Sequence, residues 1–285
     1  FSFAFLFFLP FSIAKFIFLC IKHQPKIVHS LLFQANILTR FIKIFLPKTK
    51  VFCSERVAEK QKLWQLTLLR YTKFLVDKIF VNSNELKNFV VTTQKVQQEK
   101  VVVVPNIIEL SKIHIKFDEA NIRNELGISK KDFFVLSVGR LHRQKGFDLL
   151  IEIAKSFVDK IKNLSLREKI VFVVIGDGKE YNNLLNYVKK LNIEEYIKFL
   201  GYKENVYDYI NACNLFLLTS YWEGSPNVVL EAVVLKRPVI STNVEGVLEI
   251  LNTNFVISLQ QTKEDIVKKF VDKILEVCLL GRDFD

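Results

Sequence analysis

The stretch Ser220-Tyr-Trp-Glu-Gly-Ser-Pro-Asn-Val-Val-Leu-Glu231-Ala-Val-Val-Leu-Lys-Arg-Pro-Val239 decides how this chain reads. It is a loop that turns into a helix. Gly224 frees the turn, Ser225 has a capping side chain, and Pro226 suits a first helical position. From Val228 to Leu235 the helix is apolar except for Glu231. A carboxylate in such a run needs hydrogen-bond donors or water. Glu223 stands ahead of the helix and Glu231 about two turns inside it, so both can border one cleft. Between them the first helical turn, with Asn227 and Val228, offers free N–H groups and a positive dipole end to an anion. A Glu on a narrow solvent stripe is the plain alternative.

Working outward, Leu215–Leu218 is the strand that delivers this loop and Pro238–Ser241 the next strand after it. Upstream lies a second stretch with chemistry in it. Phe133–Val138 is a strand, followed by Gly139-Arg-Leu-His-Arg-Gln-Lys-Gly146 and a helix from Phe147. Gly139 ends the strand and Gly146 lets the backbone turn into the helix. Arg140 can fork onto phosphate oxygens, and Lys145 supplies a point charge. An ordinary basic loop between strand and helix has the same look. Then come a strand Ile170–Ile175, the turn Gly176-Asp-Gly178, a helix Tyr181–Leu191 and a strand Ile197–Leu200 that ends at Gly201-Tyr202. The third glycine of the dinucleotide fingerprint is absent.

The first part of the chain repeats the alternation. Strands at Lys26–His29, Val51–Cys53, Lys78–Val81 and Val101–Val104 are separated by helices at Phe33–Phe45, Leu63–Val76 and from the cap Asn82-Ser83-Asn84 to Thr92. Residues 107–131 read as a connection with a short helix Glu119–Leu126, and Lys263–Leu280 as a closing amphipathic helix. The pattern predicts an α/β chain of two doubly wound parallel-sheet domains, 1–112 and 113–285.

At 285 residues, half hydrophobic and a quarter charged, the chain is globular with ample core. Its net charge of +11 is uneven. Residues 1–112 hold 17 Lys/Arg against 6 Asp/Glu, and residues 113–285 hold 24 of each, so the first part carries the whole excess. That suits an anionic membrane surface or an anionic acceptor, and a spread over solvated faces is the bland alternative. No nucleic-acid reader motif is present, so nucleic acid is not an expected partner. Cys20, Cys53, Cys213 and Cys278 have no paired spacing, which argues against zinc or a disulfide framework and fits a reducing cytoplasm. Asp283-Phe-Asp285 has a metal-type spacing, but no metal is expected there. Phe1 to Ile21 is strongly apolar, yet holds Pro10 and Lys15 and lacks a cleavage site. It reads as a buried or membrane-facing helix of the first domain, with a membrane span as the alternative. With Phe1 first and no methionine, the natural start is expected upstream.

Glu223, seven residues, Glu231, then Ala232 and Pro238-Val-Ile240 resembles the donor-site signature of the family-4 (group 1) retaining glycosyltransferases. Gly139-Arg140 with Lys145-Gly146 is similar to that family's diphosphate grip. Ile27-Val-His29-Ser, Asn82-Ser-Asn-Glu85 and Val103-Val-Pro-Asn106 match pieces of its first half. The resemblance implies the GT-B fold, two Rossmann-like domains facing a cleft, with the first domain incomplete in this chain. It implies that Glu223 faces the donor sugar, that Glu231 holds the ribose hydroxyls, and that Arg140, Lys145 and Gly139 meet the diphosphate with Gly224, Ser225, Asn227 and Val228. It places Gly176 and Tyr202 along the nucleotide and His29 on the acceptor side. The chain departs from the family pattern at Leu31, where a second His is usual, at Lys236, where Gly is usual, and at Glu245, where a Gly-Gly pair is usual.

The resemblance therefore implies transfer of a sugar from a nucleotide-diphosphate sugar to a saccharide or lipid-linked acceptor, with retention, in bacterial cell-envelope synthesis. No cofactor is expected, and the location is cytoplasmic or peripheral on the inner membrane face. Two alternatives stay open: a catalytically incomplete relative that only binds nucleotide sugar, and a nucleotide-sugar epimerase of the same fold.

Overall fold

The computed structural model describes residues 3–57, 63–162 and 169–280. The chain divides into two compact units, Phe1–Asn106 and Ile107–Asp285. Residues 107–112, assigned above to the first domain, thus belong with the second.

The first unit runs α1 (Phe3–His23), β1 (Ile27–Leu31), α2 (Phe33–Phe45), β2 (Lys50–Glu55), α3 (Leu63–Tyr71), β3 (Lys78–Val81), α4 (Asn84–Thr93) and β4 (Val101–Val103). Its four strands pair in parallel in the order β1-β2-β3-β4. Side chains alternate across each strand. Val51, Cys53, Ile79, Val81 and Val101 therefore share a buried face with Leu86 and Val90 of α4. On the opposite face the rings of His29, Phe52 and Phe80 meet at 5.5 and 5.6 Å. The Ser83 hydroxyl accepts the Leu86 N–H at 3.1 Å and starts α4, the role expected of that segment. The helix expected over Leu63–Val76 stops at Tyr71 and continues as a 3₁₀ turn, Lys73–Leu75. α1 packs on α2 through Cys20, Ile42 and Leu46. Among the described residues no helix is long and apolar enough to cross a membrane.

The second unit holds α5 (Glu119–Leu126), β5 (Phe133–Val138), α6 (Phe147–Lys162), β6 (Ile170–Ile175), α7 (Tyr181–Lys190), β7 (Ile197–Phe199), α8 (Val206–Ala212), β8 (Leu215–Leu218), α9 (Asn227–Val234), β9 (Val239–Thr242), β10 (Val256–Ile257) and α10 (Lys263–Leu280). The six strands are parallel in the order β10-β9-β8-β5-β6-β7. Counted within this unit and read from β7, that is 3-2-1-4-5-6, the Rossmann order. Both faces of the sheet are covered. Ile170, Phe172 and Val174 of β6 enter the core shared with α6, α7 and α10. Val171, Val173 and Ile175 enter the other core, with α5, α8 and α9. Every residue of β6 is buried, which is why that strand reads as an unbroken apolar run. The helix α8 and the short strand β10 have no counterpart among the sequence expectations.

Arg123 ties α5 to this sheet. The residue is 3 % exposed, and its guanidinium donates to Glu119 at 2.6 Å, to the Ser129 and Asp132 carbonyls at 3.0 and 2.9 Å, and to Asn214 Oδ1 at 2.8 Å. The same Asn214 oxygen accepts the Phe134 N–H of β5 at 2.8 Å.

Candidate functional site

In a Rossmann-ordered sheet the strand order reverses at one point, and ligands bind outside the carboxyl ends of the strands there. Here that point lies between β5 and β8, which pair directly. The loop leaving β5 is Gly139–Gly146, and the loop leaving β8 runs from Thr219 to Pro226. The two stretches singled out in the sequence are therefore neighbours in space.

Their contact is close and specific. Lys145 Nζ meets Glu223 Oε1 at 2.5 Å, joining residues 78 positions apart. Both side chains are largely buried, 19 % exposed for Lys145 and 9 % for Glu223. The same Glu223 oxygen accepts the Ser220 hydroxyl at 2.8 Å. Ser220 is itself fully buried, and its carbonyl accepts the Thr242 hydroxyl of β9 at 2.6 Å. The Tyr221 N–H donates to the Gln144 carbonyl at 2.8 Å, and the Gln144 amide donates to the Trp222 carbonyl at 2.9 Å. Tyr221 also donates its hydroxyl to Asp148 in the first turn of α6, at 2.7 Å. Burial, and then Asp148, push the Tyr221 phenol well above its ordinary range.

Gly146 explains how the loops approach so closely. Its φ of +61° is left-handed, and a Cβ there would stand 2.0 Å from the Thr219 carbonyl oxygen. Only a residue without a side chain fits. Gly176 plays the same part for the β6 loop, since its Cβ would meet the Gly139 oxygen at 2.0 Å. The Gly176 N–H donates to Gly201 at 2.8 Å, so the ends of β5, β6 and β7 are bound in series, with Tyr202 next in line and 75 % exposed.

The other charged candidates are left available. Arg140 is exposed, and neither its side chain nor that of Glu231 makes a hydrogen bond or ion pair among the described residues. Glu231 is half-buried on α9, and burial pushes its carboxyl above the usual carboxylate range. The Tyr207 phenol of α8 is raised by burial and then by the Glu231 charge, which puts the two side chains near each other.

One local expectation is corrected. Ser225 is not the N-cap residue of α9: Pro226 holds that position, with extended backbone and no side-chain cap bond of its own. The helix starts at Asn227 and not at Pro226. Pro226 satisfies the start in its own way, because its carbonyl accepts the Val229 N–H at 3.1 Å. Gly224 lies beneath the segment after β9, where a Cβ on Gly246 would stand 2.8 Å from the Gly224 oxygen. Val228 packs against the core beneath α9. In the first unit, His29 is exposed on β1 with Nε2 at 2.9 Å from the Ser54 hydroxyl. Among the described residues no cluster of His, Cys, Asp or Glu could hold a metal ion, and the Asp283–Asp285 spacing lies outside them.

Sequence reasoning missed Ser220, Gln144, Asp148 and Tyr207. Ser220 and Gln144 lie inside the two motifs but carry no charge to draw notice. Asp148 and Tyr207 sit on helices, and only the fold brings them to Tyr221 and Glu231.

Comparison with known proteins follows the same lines. The family described as "Glycosyl transferases group 1" matches residues 118–278, more than half of the chain. An uncharacterised glycosyltransferase of Methanocaldococcus jannaschii is 33 % identical over 190 residues, covering 66 % of this chain and 45 % of that protein. The UDP-Gal:alpha-D-GlcNAc-diphosphoundecaprenol alpha-1,3-galactosyltransferase of Escherichia coli is 31 % identical over 165 residues, covering 57 % and 42 %. The chain thus spans less than half the length of these curated relatives. Among solved structures, Anabaena HepE in complex with UDP superposes with a TM-score of 0.76 at 18 % identity, over 93 % of this chain and 74 % of that one. That likeness shows the GT-B fold. On the match across its second unit, this chain belongs to the group 1 glycosyl transferases.

Proposed function

We propose that the chain moves a sugar from a nucleotide-diphosphate sugar to a saccharide or lipid-linked acceptor, with retained anomeric configuration. The observation that carries this reading is the pairing of Lys145 with Glu223 at the switch point of a Rossmann sheet, with Arg140 and Glu231 left unpaired. As the bond from the sugar to the diphosphate opens, negative charge builds on the leaving oxygen. Arg140, Lys145 and the N–H groups at the start of α9 meet that charge without a metal. Glu223 orients the sugar hydroxyls, and Glu231 accepts hydrogen bonds from the ribose. The acceptor oxygen forms its bond to the sugar on the face that the diphosphate leaves, and its proton passes to the departing phosphate oxygen. No cofactor enters this scheme. Gly139 lets the donor approach the backbone, and Gly176 and Tyr202 border the nucleotide.

UDP as the nucleotide is supported by the solved relative bound to it. A lipid-linked acceptor at the inner face of a bacterial membrane is supported by the name of the Escherichia coli relative and by the charge excess of +11 in residues 1–112. His29 belongs on the acceptor side in this reading. In an intact homologue, Lys145→Ala and Glu223→Ala each lower transfer from the UDP-sugar by about a hundredfold or more while the fold survives. Wild-type turnover in either variant refutes the assignment.

A further inference from the structure

Helix α2 is built inside out. Its buried residues are Asn36, Thr39, Arg40 and Ile42, and all but the last are polar. Asn36 accepts the Ser30 hydroxyl at 2.8 Å and donates to the Ser54 carbonyl at 3.0 Å. Lys43, on the same side, donates to Asp77 at 2.6 Å and to the Thr49 carbonyl at 2.9 Å. The opposite stripe is apolar: Phe41, Ile44 and Phe45 are 40 %, 58 % and 55 % exposed. A surface helix ordinarily turns its apolar stripe to the core and its polar face to water. Here the two are exchanged. Helix α3 repeats the exchange, with Gln65 buried beside Leu69 while Trp64 and Tyr71 are 64 % and 73 % exposed. The helices are neighbours. Arg40 of α2 donates to the Leu69 carbonyl of α3 at 2.8 Å, and the Phe33 and Trp64 rings meet edge-on at 5.2 Å. The two apolar stripes therefore adjoin, and an exposed patch of this kind marks an interaction surface.

Charge narrows the occupant. Among the described residues before Asp77 there are ten Lys/Arg and a single acidic residue, Glu55, whose side chain is 10 % exposed and turned toward Arg40. Neither α2 nor α3 contains an Asp or Glu, and the cations Lys48 after α2 and Arg70 on α3 are exposed. A second copy of this chain would set its own cations against these with no carboxylate on the face to answer them. Phosphate headgroups answer them directly, and the boundary below the headgroups takes apolar side chains, with Trp and Tyr at its edge. No described helix is long and apolar enough to cross a membrane, so the contact is made by a helix face. We propose that the outer face of α2 and α3 docks the chain on an anionic phospholipid bilayer, with Phe41, Ile44, Phe45 and Trp64 entering the boundary and Lys48 and Arg70 on the phosphates. This names a docking surface, which the acceptor reading above does not, and it rests on α2 and α3 alone. A failed donor site leaves it standing.

The test is co-sedimentation of the intact chain with liposomes of phosphatidylglycerol and phosphatidylcholine, against phosphatidylcholine alone, at low and high NaCl. The chain sediments with the anionic liposomes, and its partition falls about tenfold or more on neutral ones and in high salt. The double variant Ile44→Gln, Phe45→Gln also lowers partition about tenfold or more. Both side chains are more than half exposed, so this variant keeps a cooperative melt. Lys48→Glu, at an exposed position beyond α2, lowers partition likewise and decides the matter if the double variant does not fold. Ile107→Gln, an exposed apolar site in the second unit, leaves partition unchanged. Affinity for UDP, titrated separately, is the same in wild type and the double variant, so a failed donor site and a failed docking face give different results. Four results overturn the proposal: no sedimentation with anionic liposomes; equal sedimentation with neutral ones; unchanged partition in the folded double variant or an equal loss in Ile107→Gln; or a wild-type dimer in sedimentation velocity that the double variant abolishes, which gives the face to a second copy.

Discussion

Replacing Lys145 by alanine removes the cation from a carboxylate that is only 7 % exposed as a residue. Breaking a buried ion pair from one side costs about 3–5 kcal/mol, because the remaining charge stays in a poor solvent. Here the lower end applies. The Lys145 side chain is 19 % exposed, so its own site is reached by water, and the Ser220 hydroxyl still donates to Glu223 at 2.8 Å. A loss of about 3 kcal/mol follows, which lowers the melting midpoint of a unit this size by roughly 6–12 °C. Adding Glu223→Gln removes the stranded charge. The double variant then recovers about 2 kcal/mol relative to the sum of the two single changes. Chemical denaturation of the four proteins, read by far-UV circular dichroism, measures the cycle. A Lys145→Ala variant that melts within about 1 °C of wild type, or strictly additive losses, would show that the pair contributes nothing and that the loops are held by other contacts.

Three other substitutions separate the physical causes. Gly146→Ala drives a methyl to 2.0 Å from the Thr219 oxygen at a left-handed φ, so it lowers stability by about 3 kcal/mol or more in urea denaturation; a neutral effect contradicts the close approach of the two loops. Lys236→Gly acts in the opposite direction. Lys236 sits at φ +57° just after α9, where Lys236 N–H to Val233 and Arg237 N–H to Ala232, both 2.9 Å, close a Schellman motif that favours glycine. The change stabilises by about 1 kcal/mol, and a lower melting midpoint sinks the idea. Burial raises the folded-state pKa of Glu231, so its favourable contribution to stability is present below the unfolded carboxyl pKa and is lost as pH rises through the raised one. Glu231→Gln is therefore more stable than wild type at neutral pH, and the advantage vanishes in acid. A gap that does not change between these pH values removes burial as the cause.

Much of the fold was legible because the strongest periodic segments are also the most buried. Phe133–Val138, Ile170–Ile175 and Leu215–Leu218 read to the residue, since continuous apolar runs bounded by glycine or polar turns leave little choice. Phe33–Phe45 and Lys263–Leu280 did so through their helical pattern. Val206–Ala212 was not visible, being seven residues long and started by Asn205 without a side-chain cap. The left-handed Lys236 is the physical reason that glycine suits that position, although the chain carries lysine there. In the site, the charged residues announced themselves, but their partners did not. Nothing local to Glu223 reveals that Lys145 lies 2.5 Å away, because that contact depends on β5 and β8 lying side by side. Arg40 was invisible for the same reason: an arginine at 0 % exposure is legible only when Glu55, Leu69 and Thr72 are seen around it.

The most direct test of the donor site is calorimetric titration with UDP of the wild-type chain, Lys145→Ala, Arg140→Ala and Glu231→Gln. Wild type binds with one-to-one stoichiometry. Each variant binds about tenfold or more weakly, as expected for the loss of one charge-assisted hydrogen bond to diphosphate or ribose. Wild-type affinity in all three variants, or no binding by a folded wild-type chain, contradicts a nucleotide-diphosphate cradle at this switch point.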